Sequence, residues 1–212
     1  MTKLYLIRHG ESEANRERLF AGNFDIDLTE LGYAQAEHIP EYFREIHIDA
    51  IFASDLKRAY HTACPLAKAK NLPVVKEPSF REISAGAWEG VHFDTIMEKY
   101  KEDYTVWRED IGRAVCTNGE SVLQLSRRVS AAITRIAEEN DGKTVVIATH
   151  ATPIRSLISL WATGSLRDMK EYKWVPNASI TEASYENGLF TLENIGITEH
   201  LEGLLTKLPP TV

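Results

Sequence analysis

The stretch LYLIRHGESEAN, residues 4–15, decides how the fold is read. An apolar run stops abruptly at Arg8, His9 and Gly10, and polar residues follow at once. Apolar residues that run continuously, rather than alternate, predict a strand over 3–7 that is buried on both faces. A buried strand that finishes in a guanidinium and an imidazole delivers both groups to one edge of a sheet. In open α/β sheets ligands bind at that edge, outside the carboxyl ends of the strands.

Two other stretches share the design. IDAIFA, 48–53, runs into Ser54 and Asp55, with Arg58 one turn later. TVVIAT, 144–149, is the most apolar strand candidate and runs into His150, Ala151 and Thr152. Parallel strands would bring the three ends together beside the N-termini of the following helices. Arginine forks match phosphoryl oxygens bidentately. Helix N-termini add N–H donors and a dipole that favours an anion. Singly, each residue has an ordinary explanation: a hydrogen-bonded structural histidine, a surface ion pair, a solvated helix arginine. Two histidines and two arginines converging on one edge point to a phosphate or other anion site.

Outward from these strands, Thr29 is an expected N-cap for a helix near 30–45, which Pro40 should kink or end early. A helix across 56–70 is expected to be interrupted by Pro65, and LPVVKE, 72–77, reads as a third short strand. Residues 92–111, rich in Tyr, Trp and charge, read as one or two short amphipathic helices. TNGE, 117–120, is a turn, and a long helix spans Glu120 to Asn140. Another helix starts at about 153, with Pro153 in its first turn. Segments 178–186 and 189–195, joined by Asn187-Gly188, form a hairpin. Strands alternating with helices predict an α/β fold, with a mainly parallel central sheet and antiparallel strands at one side.

The chain of 212 residues, 43% apolar, suffices for one substantial core, so one domain is expected over 1–212. Its net charge of −7 excludes a generally basic nucleic-acid-binding surface. No signal peptide is visible and no apolar run is long enough to span a membrane, so a cytoplasmic protein with neither nucleic-acid nor membrane partners is expected. Cys64 and Cys116 lie in unrelated contexts and read as reduced thiols. His38, His47, His61, His92 and His200 show no metal-ligand spacing and read as surface or structural. His200 is the one that could return to the pocket. The apolar tail GLLTKLPPTV, irregular at Pro209-Pro210, could dock on its own domain or on a partner, so a homodimer is possible.

RHGESEAN resembles the signature of the histidine phosphatase superfamily, which includes cofactor-dependent phosphoglycerate mutases. LFAGNFDIDLTELGYAQA (19–36), SDLKRAYHTA (54–63), REISAGAWEG (81–90), NGESV (118–122), ATHATPIR (148–155) and NASI (177–180) resemble later family segments, in family order. The resemblance implies a phosphoglycerate mutase-like three-layer sandwich, its central sheet flanked by helices. It implies that His9 takes the phosphoryl group as a phosphohistidine, that Arg8, Arg58 and His150 neutralise the group, and that Glu82 is the acid. A carboxyl with a raised pKa can protonate the leaving oxygen and then deprotonate water. His9 should be neutral and His150 charged. Asn15, Ala21, Gly22 and the backbone N–H of Ala151 are the expected phosphate or substrate contacts, and Glu89 is expected to be structural. The scheme needs neither metal nor cofactor.

GAWEG resembles the phosphatase branch, and the sequence lacks both the adjacent arginine pair and the longer insertion of glycolytic mutases. The expected activity is hydrolysis of small phosphomonoesters from a phosphorylated metabolite. The alternatives are a cofactor-dependent mutase and an inactive phosphate-ester-binding protein. The segment 92–118 is expected to cover the site like a lid, with Trp88, Phe93, Tyr104 and Trp107 shaping the pocket or merely packing it.

Overall fold

The computed structural model describes residues 1–207. Pro209-Pro210, expected to be irregular, lie outside the described residues. A six-stranded sheet runs through the centre in the order β4-β3-β6-β1-β7-β8. Its strands are β1 (Thr2–Arg8), β3 (Ala50–Ala53), β4 (Val74–Lys76), β6 (Thr144–Thr149), β7 (Ile180–Glu186) and β8 (Leu189–Ile197). The pairs β1·β6, β3·β6 and β3·β4 are parallel, whereas β7 lies antiparallel to both β1 and β8. The short strands β2 (Leu19–Phe20) and β5 (Val91–His92) form a separate antiparallel pair. Two-residue strands carry no readable period, and neither they nor α1 (Glu13–Glu17) were expected from the sequence pattern.

Side-chain alternation along β1 splits the core into two layers. Leu4 and Leu6 face α6 (Val122–Glu139) and α7 (Ala151–Thr163), packing with Leu125, Ile133 and Leu157. Tyr5 and Ile7 face α2 (Glu30–Tyr42) and α3 (Lys57–Lys70), packing with Ile39 and Leu66. This is the expected three-layer α/β sandwich.

Thr29 caps α2 by accepting from Gly32 N–H at 3.0 Å, and the helix ends two residues beyond Pro40. Pro65 does not interrupt α3, contrary to expectation. Ala63, Leu66 and Ala67 bury one face of that helix and hold it through the proline. The 92–111 region forms α4 (Phe93–Lys99) and α5 (Lys101–Glu109). Asn187 and Gly188 both adopt positive φ (52° and 83°), the backbone a two-residue hairpin turn demands. Gly32 sits where a Cβ would lie 2.0 Å from the carbonyl oxygen of Glu11, so only glycine lets α2 approach the loop after β1 this closely.

The described part of the C-terminal tail docks on its own domain. Gln35 Nε2 donates to Leu204 O at 2.7 Å and to Thr206 Oγ1 at 3.0 Å. Among the described residues no helix is long and apolar enough to cross a membrane.

Candidate active site

The carboxyl ends of β1, β3 and β6 meet as the sequence predicted. Arg8 and His9 leave β1 almost fully buried, and His150 leaves β6 as the N-cap of α7. Ser54 leaves β3, and Arg58 follows in the first turn of α3. The imidazoles of His9 and His150 stand 5.2 Å apart between ring centroids. A cavity of about 230 Å³ opens there, with Arg8, His9, Arg58 and Glu82 in its wall. Asn15, Ala21, Gly22 and Ala151 line it too. His150 is fully buried and is not one of the residues that line the cavity.

His9 is locked. Its Nδ1 lies 2.7 Å from the carbonyl oxygen of Gly10, and a carbonyl only accepts, so Nδ1 carries the proton and Nε2 keeps its lone pair. The surrounding backbone is braced from distant parts of the chain. Asn177 Nδ2 donates to His9 O at 3.0 Å and to Gly10 O at 3.2 Å, and Gly10 N–H donates to Thr62 Oγ1 at 2.9 Å. Asn15 works partly as a brace, because its Oδ1 accepts from Ser12 N–H at 3.0 Å and from Asn177 Nδ2 at 3.1 Å.

The arginines are oriented by carbonyls. Arg8 Nη1 donates to Val175 O at 2.6 Å, while Arg58 donates to Gly22 O at 2.7 Å and Phe24 O at 3.0 Å. The buried nitrogens Arg8 Nε, Arg58 Nε and His150 Nδ1 have no hydrogen-bond partner. Buried donors are normally paired, so unpaired ones beside a cavity are available to an acceptor that enters it. Burial pushes both guanidinium pKa values down to about 10, which leaves them charged at neutral pH.

Burial, reinforced by Arg58 and Arg8, holds His9 well below the ordinary histidine value, so it is neutral. His150 is lowered in the same way, by burial first and then by Arg58 and His9. The expectation of a charged His150 is therefore not met by the protein's own groups: a fully buried imidazole beside buried cations loses its proton.

Glu82 lies in the loop before a 3-10 turn, Gly86–Trp88. One of its carboxylate oxygens accepts from Ile83 N–H at 2.8 Å and the other from Thr152 N–H, on α7, at 3.3 Å. Arg128 grips this loop, donating to the carbonyls of Ser79 and Arg81 at 2.8 Å and of Glu82 at 2.7 Å. The same guanidinium forks onto Glu120 of the NGESV stretch at 2.8 and 2.9 Å, and Glu120 in turn accepts from Ser84 N–H at 3.1 Å. Glu89 is structural, accepting from Ala85 N–H at 3.0 Å and from Asn23 N–H at 3.1 Å.

Phe93, Tyr104 and Trp107 of the 92–118 segment line the outer cavity, but Trp88 does not. Its ring is fully buried in the core and its indole N–H donates to Thr117 Oγ1 at 3.1 Å. His200 does not reach the pocket. It is buried beside Tyr42 with Nε2–H donating to Ala178 O at 3.0 Å. Arg155 and Trp174 also line the cavity and had no role from sequence. Arg155 stands in ATHATPIR, five residues past His150 on the helix that starts at the strand end, which is a readable signal. Trp174 lies in irregular chain and offers none. Among the described residues no three His, Cys, Asp or Glu side chains gather as metal ligands would.

The profile of the histidine phosphatase superfamily (branch 1) matches residues 4–198. Phosphoserine phosphatase 1 of Hydrogenobacter thermophilus is 38% identical over 157 residues, which cover 74% of this chain and 74% of that one. The adenosylcobalamin/alpha-ribazole phosphatase of Escherichia coli is 33% identical over 157 residues, 74% of this chain and 77% of its own. Among solved structures, Bacillus stearothermophilus YhfR superposes with a TM-score of 0.90 at 27% identity, covering 95% of this chain and all of that one. The mycobacterial glucosyl-3-phosphoglycerate phosphatase Rv2419c superposes with a TM-score of 0.85 at 26% identity, over 92% of this chain and 99% of that one. With this fold, with the signature histidine at the end of its central strand, and with a profile match over nearly its whole length, the chain belongs to branch 1 of the histidine phosphatase superfamily.

Proposed function

We propose that this protein hydrolyses small phosphomonoesters through a phosphohistidine on His9, with Glu82 as the proton donor. One observation carries the reading: His9 is held by Gly10 O with a neutral Nε2 free, in a cavity where two buried arginines keep nitrogens without protein partners. The names of the relatives, phosphatases of phosphoserine, alpha-ribazole phosphate and glucosyl-3-phosphoglycerate, support the reaction class.

In the first step Nε2 attacks phosphorus in line, the P–O ester bond breaks, and the leaving oxygen takes the proton of Glu82. In the second step water attacks the phosphohistidine, gives its proton to the Glu82 carboxylate, and the P–N bond breaks to release phosphate. Such transfers depend on positioning and on neutralising the equatorial oxygens. Arg8 and Arg58 supply that charge, and Asn15 and the N-terminus of α7 at Ala151 supply neutral donors. Ser54 Oγ, 2.8 Å from His150 Nε2, can donate there, which places the imidazole proton on Nδ1 as a further donor. A phosphoryl dianion beside His150 raises its pKa and favours the charged form. Residues 92–118 act as the cover of the cavity mouth. The scheme needs no metal or cofactor.

The test is a phosphate-release assay with His9→Ala as control, run on phosphomonoesters and on 3-phosphoglycerate with and without 2,3-bisphosphoglycerate. Loss of turnover in the variant, with release of phosphate in the wild type, is expected. Full activity in His9→Ala would falsify the nucleophile. Fast bisphosphate-dependent isomerisation with little free phosphate would establish the mutase instead.

A further inference from the structure

One charge in the cavity wall has no part in the phosphoryl transfer proposed above. Arg155, on α7, is 8% exposed and lines the cavity. Its Nε donates to Met169 O at 3.0 Å and its Nη2 to Lys170 O at 3.3 Å. The guanidinium carbon lies 4.3 Å from the ring centroid of Trp174. Trp174 in turn stacks on Trp107 with the ring planes 20° apart. The cation is thus fixed by two carbonyls and an aromatic face, with Nη1 left over. Among the described residues no carboxylate is within ion-pair distance of it. Burial alone lowers its pKa, to about 10, so it stays charged at neutral pH.

A buried cation is ordinarily paired, and an unpaired one that lines a ligand cavity is preorganised for an anion. The two other arginines of the cavity wall not assigned to the phosphoryl group, Arg18 and Arg108, differ from Arg155. Arg18 already faces Asp94 at 3.6 Å, and Arg108 is exposed. Glu82 is the one carboxylate among the described lining residues, and its two oxygens are held by Ile83 N–H and Thr152 N–H. The cavity, at about 230 Å³, falls below the range of about 300–1,000 Å³ usual for drug-sized ligands, which favours a small metabolite.

We infer that Arg155, laid on Trp174 in the cavity wall, binds a second anionic group of the substrate, so that the preferred esters carry a carboxylate or a second phosphate besides the transferred phosphoryl. The inference rests on the hydrolytic reading above and narrows its substrate class. Arg155 acts here as a specificity residue: it reads the second anion of the ester and takes no part in bond making.

The experiment compares kcat/KM across two matched series. One is propyl phosphate, 3-phosphooxypropanoate and propane-1,3-diyl bisphosphate. The other is phenyl phosphate, 4-carboxyphenyl phosphate and 1,4-phenylene bisphosphate. A charge-assisted hydrogen bond predicts a preference of about tenfold or more for an anionic member in at least one series, carried mainly by KM. The carboxylate and bisphosphate arms show which anion is read. In Arg155→Gln that preference should collapse towards one, because the anionic esters lose more in KM than the neutral ones. Neutral and anionic esters turned over alike by the wild type in both series would overturn the inference, as would an unchanged ratio in the folded variant. Because Arg155 also braces Met169 and Lys170, the variant's folding is checked by thermal unfolding. Should it not fold, the wild-type ratio decides alone. His9→Ala separates the two readings: turnover of every ester that survives it sinks the hydrolytic mechanism, whereas His9-dependent turnover with no anion preference sinks only the role of Arg155.

Discussion

Replacing Glu82 by glutamine isolates proton transfer from the rest of the site. In the native loop the carboxylate accepts from Ile83 N–H at 2.8 Å and from Thr152 N–H at 3.3 Å. Glutamine keeps the shape and one acceptor, so the shorter bond to Ile83 survives and Thr152 N–H faces an amino group. Losing that longer bond costs about 1–3 kcal/mol, against a typical domain stability of about 5–15 kcal/mol, so Glu82→Gln should fold. Catalysis loses far more, because a positioned acid–base group contributes about 10²–10⁴-fold, or ~2.7–5.4 kcal/mol of barrier.

The loss must depend on the leaving group. An alkyl phosphate expels an alkoxide and needs the proton. p-Nitrophenyl phosphate expels a stabilised phenolate and does not. Turnover of the alkyl ester should fall by about 10²–10⁴-fold, and phosphorylation by the aryl ester by less than about tenfold. Water still lacks its base, so phosphoenzyme accumulates and a burst of p-nitrophenol precedes a slow steady state. Rapid-quench kinetics on both esters, with urea unfolding of the variant, make the measurement. Equal losses on the two esters, or alkyl turnover within about tenfold of wild type, would refute Glu82 as the proton donor.

Acidification should destabilise the protein through its buried histidines. His9, His150 and His200 are all held below the ordinary value, by burial first, so the unfolded chain takes up protons that the folded chain refuses. Stability is then full above about pH 6.5 and falls below it by at most about 1.4 kcal/mol per pH unit for each histidine, and flat urea midpoints from about pH 7 to about pH 5.5 would contradict this. Arg128→Met releases the loop that carries Glu82, and kcat on alkyl esters should drop about tenfold or more with a smaller change in KM, alongside about 2 kcal/mol of stability. An unchanged kcat in folded Arg128→Met would remove Arg128 as a positioning residue. Gly32→Ala drives a methyl group into the Glu11 carbonyl, so a loss of about 1–3 kcal/mol or more is expected by thermal unfolding, with activity falling as the loop after His9 shifts. Wild-type stability and activity in that variant would mean α2 can retreat freely.

The legible part of the site was the part that strands deliver. Arg8, His9, Arg58 and His150 each follow an apolar run that must be buried, and burial of parallel strands fixes where their ends go. Glu82 lies in irregular chain, so only its motif marked it, and its support by Arg128 depends on a helix that arrives from elsewhere. Trp88 stood between shaping the pocket and packing, and packing it is: a tight turn sends its ring into the core. How completely His150 is buried was not legible either, and that burial is what holds its pKa down when only the protein's own groups surround it. Pro65 was expected to interrupt a helix, and the packing of Ala63 and Leu66 on the sheet outweighed the local penalty. The registers that place Asn177 against His9, or Trp174 against Arg155, are set by tertiary packing and have no local signature.

The central position of β1 has a consequence for how the molecule assembles. Its ladder partners are β6 and β7, and the brace on His9 O comes from Asn177, 168 residues downstream. Contacts this distant form slowly, because loop closure must precede the stabilisation they bring. During synthesis the segment bearing His9 therefore emerges long before the strands that orient it. An emerging chain has His9, the proposed nucleophile, but no cradle for it, and the geometry of the site is complete only when the last strands of the sheet are in place. A truncation before β7 removes one whole flank of the strand that delivers His9, and the proposed activity should go with it, although every residue assigned to bond making is still present.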